Sequence, residues 1–123
     1  MQHYKQENTM GKYQIGEFEE VVLLTVGVLY GDAYGVSIKL AIEEKLNRKV
    51  SVGALQSALK RLESKGYLTS KEGESTSERG GRPKLYFSLT KAGRDAIEYA
   101  REVRNQLYDE IPKVALDLKV VAI

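Results

Sequence analysis

The sequence has no cysteine, a single histidine and no apolar stretch long enough to span a bilayer. Without cysteine, neither disulfides nor thiolate metal sites can form. His3 lies in a polar leader, where solvation accounts for it, and no clustered histidines or carboxylates at metal-ligand spacing accompany it. The longest apolar run, residues 21–30, is about half of what a membrane-spanning helix needs. Residues 1–14 are polar and mixed in charge, unlike a signal peptide. These absences set the expectation of a soluble, cytoplasmic protein with no metal or cofactor, and 123 residues suffice for one domain with its own core. Catalysis is not expected either: only lysine is available as a base to activate a nucleophile, and no phosphate-cradling loop follows a strand.

What the chain does have is charge, unevenly placed. The formal net charge is +2, but residues 48–94 hold eleven Lys and Arg against four Glu, which leaves +7 there and −5 on the flanks. A basic centre between acidic flanks suggests a surface that faces a polyanion. An ordinary solvated face is the plainer alternative.

Residues 17–30 open with Glu17, Glu19 and Glu20, which suit the positive end of a helix dipole. The β-branched run that follows tempts a strand assignment; its length and acidic start favour a buried helix. Gly31 and Asp32 break and re-cap the chain, and a second helix is predicted over 33–46, with Val36, Ile38, Leu40 and Ile42 turned inward and Asn47 at its end. Ser51 is a good N-cap for a third helix, Val52, Leu55, Leu59 and Leu62 form its apolar stripe, and Gly66 closes it. Its other face carries Gly53, Ser57, Lys60 and Ser64, with Gln56 and Arg61 on the shoulders. Large residues are missing there, as close approach to another surface would require.

Residues 67–72 and 84–89 read as paired short strands joined by the polar GESTSERGGRP. The second alternates Leu85, Phe87 and Leu89 inward with Lys84, Tyr86 and Ser88 outward. Thr90 caps a last helix with Ile97, Ala100, Val103, Leu107 and Ile111 at spacings of three or four, which Pro112 should kink or break. The expected fold is thus mostly α with a small β-hairpin, in the order of a winged helix-turn-helix, which places one helix in a DNA major groove and lays the hairpin across neighbouring backbone. Ser51, Gly53, Gln56, Ser57, Lys60 and Arg61 would face DNA from the third helix. Arg79, Arg82 and Lys84 would do so from the wing, where an arginine fork grips phosphate. The stripe on the last helix is either monomer core or, because a terminal helix has little of its own domain left to cover, a dimer seam.

The motifs GEFEEVVLLTVG, Tyr34–Gly35, VSVGALQSALKRLESKGYL and GRPKLYFSLTKAG, in this order over residues 16–98, resemble the PadR family of transcriptional regulators. The resemblance implies a homodimeric winged-helix repressor on double-stranded DNA, released by a small, often aromatic, effector. Two-fold symmetry would require an inverted-repeat operator. A flexible leader over 1–15, a DNA-binding domain over 16–90 and a dimerisation helix over 91–123 are expected. Two positions depart from the family. Gln56 stands where the family commonly has tyrosine, although glutamine can read adenine through a bidentate pair. Arg104 stands where drug-binding members with short C-termini carry tryptophan, so an aromatic-drug pore between subunits is not expected, and Tyr99 and Tyr108 are read as packing or exposed, with the lining of an effector cavity as the alternative. The resemblance also implies a DNA-backbone contact for Tyr34, with interhelical packing as the alternative. The alternative is a winged-helix module that binds protein. The basic wing tip argues against it, since protein interfaces favour apolar and aromatic centres. RNA binding by the same face is a third reading.

Overall fold

The apolar run at 21–30 is helical, and it is apolar nearly all round because the other elements pack about it. In the computed structural model, which describes residues 14–75 and 83–117, helix α1 (Glu17–Val28) contributes Val22, Leu23 and Val26 to the core with almost no exposed surface. Burial outweighs the modest helix propensity of its β-branched residues. Helices α2 (Gly35–Leu46) and α3 (Val52–Ser64) follow, then a hairpin of β1 (Leu68–Ser75) and β2 (Pro83–Leu89), the long α4 (Lys91–Glu110) and a single turn, α5 (Lys113–Leu116).

Helix α2 begins two residues later than expected. Its capping side chain is Ser37 rather than Asp32: the hydroxyl accepts from the Tyr34 N–H at 2.9 Å and donates to the Asp32 carbonyl at 2.7 Å. Its inward face is Ile38, Ala41 and Ile42, whereas Val36 and Leu40, expected inward, are more than half exposed. Two residues are about 200° around a helix, so Val36 and Leu40 cannot share a face with Ile38 and Ile42. Asn47 ends the helix at φ 52°, a left-handed conformation that asparagine tolerates.

In α3 the Ser51 hydroxyl accepts from the Ala54 N–H at 3.0 Å, as the sequence indicates. The buried stripe is Leu55, Ala58, Leu59 and Leu62, and Val52 at its start is exposed instead. The antiparallel hairpin pairs Leu68 with Leu89, Ser70 with Phe87 and Glu72 with Leu85, with an irregularity between Glu72 and Ser75. The Phe87 N–H also donates to the Ala33 carbonyl at 2.8 Å, which ties the hairpin to the start of α2. Phe87 is buried and Leu89 half-buried, but Leu85 is exposed, because at its level the opposite face of the strand, through Lys84 and Tyr86, is the one that meets α2 at Tyr34. Tyr86, expected outward, is half-buried.

Thr90 joins three elements. Its hydroxyl accepts from the Gly93 N–H at 3.0 Å and donates to the Gly66 carbonyl at 2.6 Å, while its N–H donates to the Tyr67 carbonyl at 3.1 Å. This seats α4 so close to the base of β1 that a Cβ on Gly93 would lie 2.1 Å from the Tyr67 oxygen. Pro112 ends the helix rather than kinking it, and α5 starts afresh beyond it.

Alanine is the better helix former by up to about 1 kcal/mol, yet Gly93→Ala should destabilise the fold by about 1–3 kcal/mol, because the clash is with backbone. Urea denaturation of the two proteins measures this. Equal or greater stability of the variant would show that α4 does not sit this close to Tyr67.

Candidate nucleic-acid interface

The first turn of α1 organises the surface. Its three carboxylates do more than suit the helix dipole, since each holds a cation from another part of the chain. Glu17 takes Arg48, in the turn between α2 and α3, through both oxygens at 2.8 and 3.3 Å, and that guanidinium also lies 5.4 Å from the Phe18 ring centre. Glu20 takes Arg104 of α4. Glu19, only 5% exposed, accepts from Arg61 Nε at 2.7 Å, Lys65 Nζ at 2.9 Å and the Gly16 N–H at 3.3 Å. Burial pushes the Glu19 carboxyl up, but the hydrogen bonds from Arg61, Lys65 and Gly16 outweigh it and hold the group below the usual carboxylate range. The Arg48 hydrogen bond likewise holds Glu17 low.

Of the two cations on Glu19, Arg61 belongs to α3 and Lys65 is its C-cap residue. Arg61, expected to face DNA, is therefore drawn back toward α1 and orients its own helix. The rest of the predicted face is intact: Ser51, Gly53, Gln56, Ser57 and Lys60 are all exposed along one side of α3. The Ser51 hydroxyl is occupied as the N-cap. Lys60 has no ion pair among the described residues.

Tyr34 lies between α2 and the wing, the packing alternative. Its ring meets Tyr86 edge to face at 5.4 Å, and Lys84 Nζ sits 4.1 Å from its centre. Lys84 is thus held over an aromatic face at the wing root rather than projecting from a tip. Arg79 and Arg82 lie outside the described residues. One candidate escaped the sequence reading. Lys49 is exposed in the turn just before Ser51, beside an open concavity lined also by Lys39, Asn47 and Arg48. It belongs to the basic stretch, but it stands in a turn with no periodicity to single it out.

The stripe on α4 divides. Ile97, Ala100 and Val103 are half-buried, and Ile97 packs against the core. Ala100 and Val103, with Ile15, Glu20, Tyr99 and Arg104, border an open groove of about 320 Å³ between α1 and α4. Leu107 and Ile111 are exposed, as are Tyr108, Val114 and Leu116 beyond. The first half is thus partly covered by its own protomer and the second half is not. Among the described residues there is no cluster of His, Cys, Asp or Glu able to hold a metal ion, and no helix long and apolar enough to cross a membrane.

Residues 23–99 match the family model described as the transcriptional regulator PadR-like family. Among solved structures, the chain is similar to a PadR-like transcription factor from Bacteroides fragilis, with a TM-score of 0.65 and 25% identity over 86% of this chain and 94% of that one. A PadR family transcriptional regulator from Eggerthella lenta gives 0.62 at 22% identity over 89% and 87%. Bacillus subtilis PadR in complex with operator DNA gives 0.55 at 19% identity over 66% of this chain and 45% of that one. The last two are likenesses of fold. Comparison with curated protein sequences gives no match.

Glu19→Gln should cost about 1–3 kcal/mol at neutral pH, between the values for exposed and fully buried pairs, because Arg61 and Lys65 remain partly exposed and can return to water. Since Glu19 titrates lower when folded, its contribution is complete above the unfolded value near 4.3 and disappears as pH falls through the folded one. The melting temperatures of wild type and variant should therefore converge in acid. A gap of the same size at neutral pH and in strong acid would mean that the charge is not what stabilises.

Proposed function

Because the chain belongs to the PadR-like family of transcriptional regulators, a family of DNA-binding proteins rather than enzymes, we propose that it is a homodimeric, sequence-specific repressor that inserts α3 into the major groove. The observation that carries this reading is the exposed face of α3, small and polar at its start and basic at Lys60, set beside a hairpin whose root is fixed to α2. Support comes from Bacillus subtilis PadR, which shares the fold and was solved with operator DNA.

In this reading Gly53 and Ser57 allow close approach, and Gln56 pairs with an adenine edge. Lys60, Lys49 and the wing arginines Arg79 and Arg82 neutralise phosphates. Tyr34 and Lys84 hold the wing root, and Arg61 positions α3 through Glu19. Residues 16–90 form the DNA-reading unit and residues 91–123 the assembly helix of a cytoplasmic regulator. Leu107 and Ile111 are the uncovered part of the dimer seam, and a two-fold dimer calls for an inverted repeat. The groove between α1 and α4 is where a small aromatic effector would reach both the seam and α1. Apolar surface left exposed on α4 favours a second copy of the chain over solvent.

Fluorescence anisotropy tests the reading, with the duplex upstream of the protein's own gene titrated against unrelated DNA at several salt concentrations. Preference for the upstream duplex, weakening steeply with salt, is expected. Lys60→Ala should weaken binding to every sequence and reduce the salt slope by about one. No binding to either duplex at low salt would sink the reading in favour of a protein-binding module. In sedimentation, Leu107→Asp combined with Ile111→Asp should give monomers; a surviving dimer would move the seam to the exposed Leu24 and Val28 of α1.

A further inference from the structure

Helix α2 opens with a glycine where nearly any other residue would serve the helix better. Gly35 has no positive φ, so no turn demands it. What it does have is a neighbour. A Cβ built on Gly35 would lie 3.3 Å from Nε2 of Gln56, the exposed glutamine of α3. The Gln56 amide thus occupies the space beside the start of α2 that a side chain at position 35 would need, although it stands on another helix. A methyl group there would push the amide outward by a few tenths of an ångström.

A bidentate pair between a glutamine and adenine depends on where the planar amide lies, and it loses both hydrogen bonds together when the plane moves. We propose that Gly35 is a specificity-positioning residue: by presenting no side chain, it seats the Gln56 amide for base recognition. This inference rests on the DNA-binding reading above and deepens it, because it assigns base choice on α3 partly to a residue of α2. The site is further defined by its neighbour. Tyr34 is fixed against Tyr86 and Lys84 of the wing, so the backbone beside the amide is tied to the hairpin. Gly35 itself need not touch DNA.

The test is selection from a random-sequence duplex library with four proteins: wild type, Gln56→Ala, Gly35→Ala and the double variant. Gln56→Ala should relax preference at one base pair per half-site, with a loss of about fivefold or more in discrimination. Gly35→Ala should relax the same base pair, leave the salt slope unchanged and melt no lower than wild type, since alanine favours the helix and the displaced group is a flexible side-chain end. In the Gln56→Ala background, Gly35→Ala should add nothing. A merely structural glycine would lower the melting temperature and leave base preference alone, which overturns the inference. So would a Gly35→Ala protein that keeps wild-type preference while Gln56→Ala loses it, though the reading of Gln56 would then survive. Equal loss on all sequences, or an effect of Gly35→Ala that persists without Gln56, would make Gly35 a direct backbone contact and overturn the inference as well. If Gln56→Ala selects the wild-type sequence, both Gln56 as a reader and Gly35 as its support fall, with the regulator intact. If wild type enriches nothing, sequence-specific binding falls and this inference with it.

Discussion

The buried carboxylate of Glu19 sits where α1 begins and is surrounded by donors from two directions: a backbone N–H of its own helix cap, and two long cationic side chains from the end of α3. A carboxylate so enclosed could not remain charged without them. The net stability such clusters add is modest, because desolvation offsets much of the Coulombic gain. What they define is direction. Arg61 and Lys65 lie a turn apart at the end of α3, so holding both on one carboxylate fixes the rotation of that helix about its axis as well as its distance from α1. Leu55, Leu59 and Leu62 are then seated in the core, and Gln56, Ser57 and Lys60 point away from it. Glu17 and Glu20 extend the same device to the turn before α3 and to α4, so one helical turn is the common reference for the elements that would read DNA and the one that would assemble the dimer.

Much of this was legible in the sequence. The order of elements, the Ser51 and Thr90 caps, the apolar stripe of α3 and the break at Pro112 all follow from local rules that act within a turn or two of chain. The failures share a cause too. Val36 and Leu40 were placed inward because they are apolar, and Leu85 because it alternates, but neither property says where neighbouring elements lie. The place of Arg61 on the helix face assigns it to DNA, and nothing local reveals that a glutamate 42 residues away in sequence also holds it. The same holds for Tyr34, whose partners Lys84 and Tyr86 come from the wing. Periodicity reports the faces of an element; it does not report which face meets which.

The wing root shows how few contacts are needed to fix an otherwise extended hairpin. One hydrogen bond from Phe87 to Ala33, the edge-to-face pair of Tyr34 and Tyr86, and the Lys84 ammonium over the Tyr34 ring all converge on two consecutive residues, Ala33 and Tyr34, at the entrance to α2. The Gln56 side chain fills the space beside Gly35 in the same segment, so α3 and the hairpin are both referred to one short piece of backbone.

Thr90 gives α4 a mechanical character. Because its hydroxyl and N–H bind the base of β1, and Gly93 lets the helix lie against Tyr67, the first turn of α4 is a fulcrum joined to the hairpin. Its 20 residues span about 30 Å, so a tilt of about 5° at the fulcrum moves the far end by about 2–3 Å. In the proposed dimer the lever would also work in reverse: a small change in how two such helices cross would be carried through Thr90 to both wings, and would alter the distance between half-sites that the pair can span.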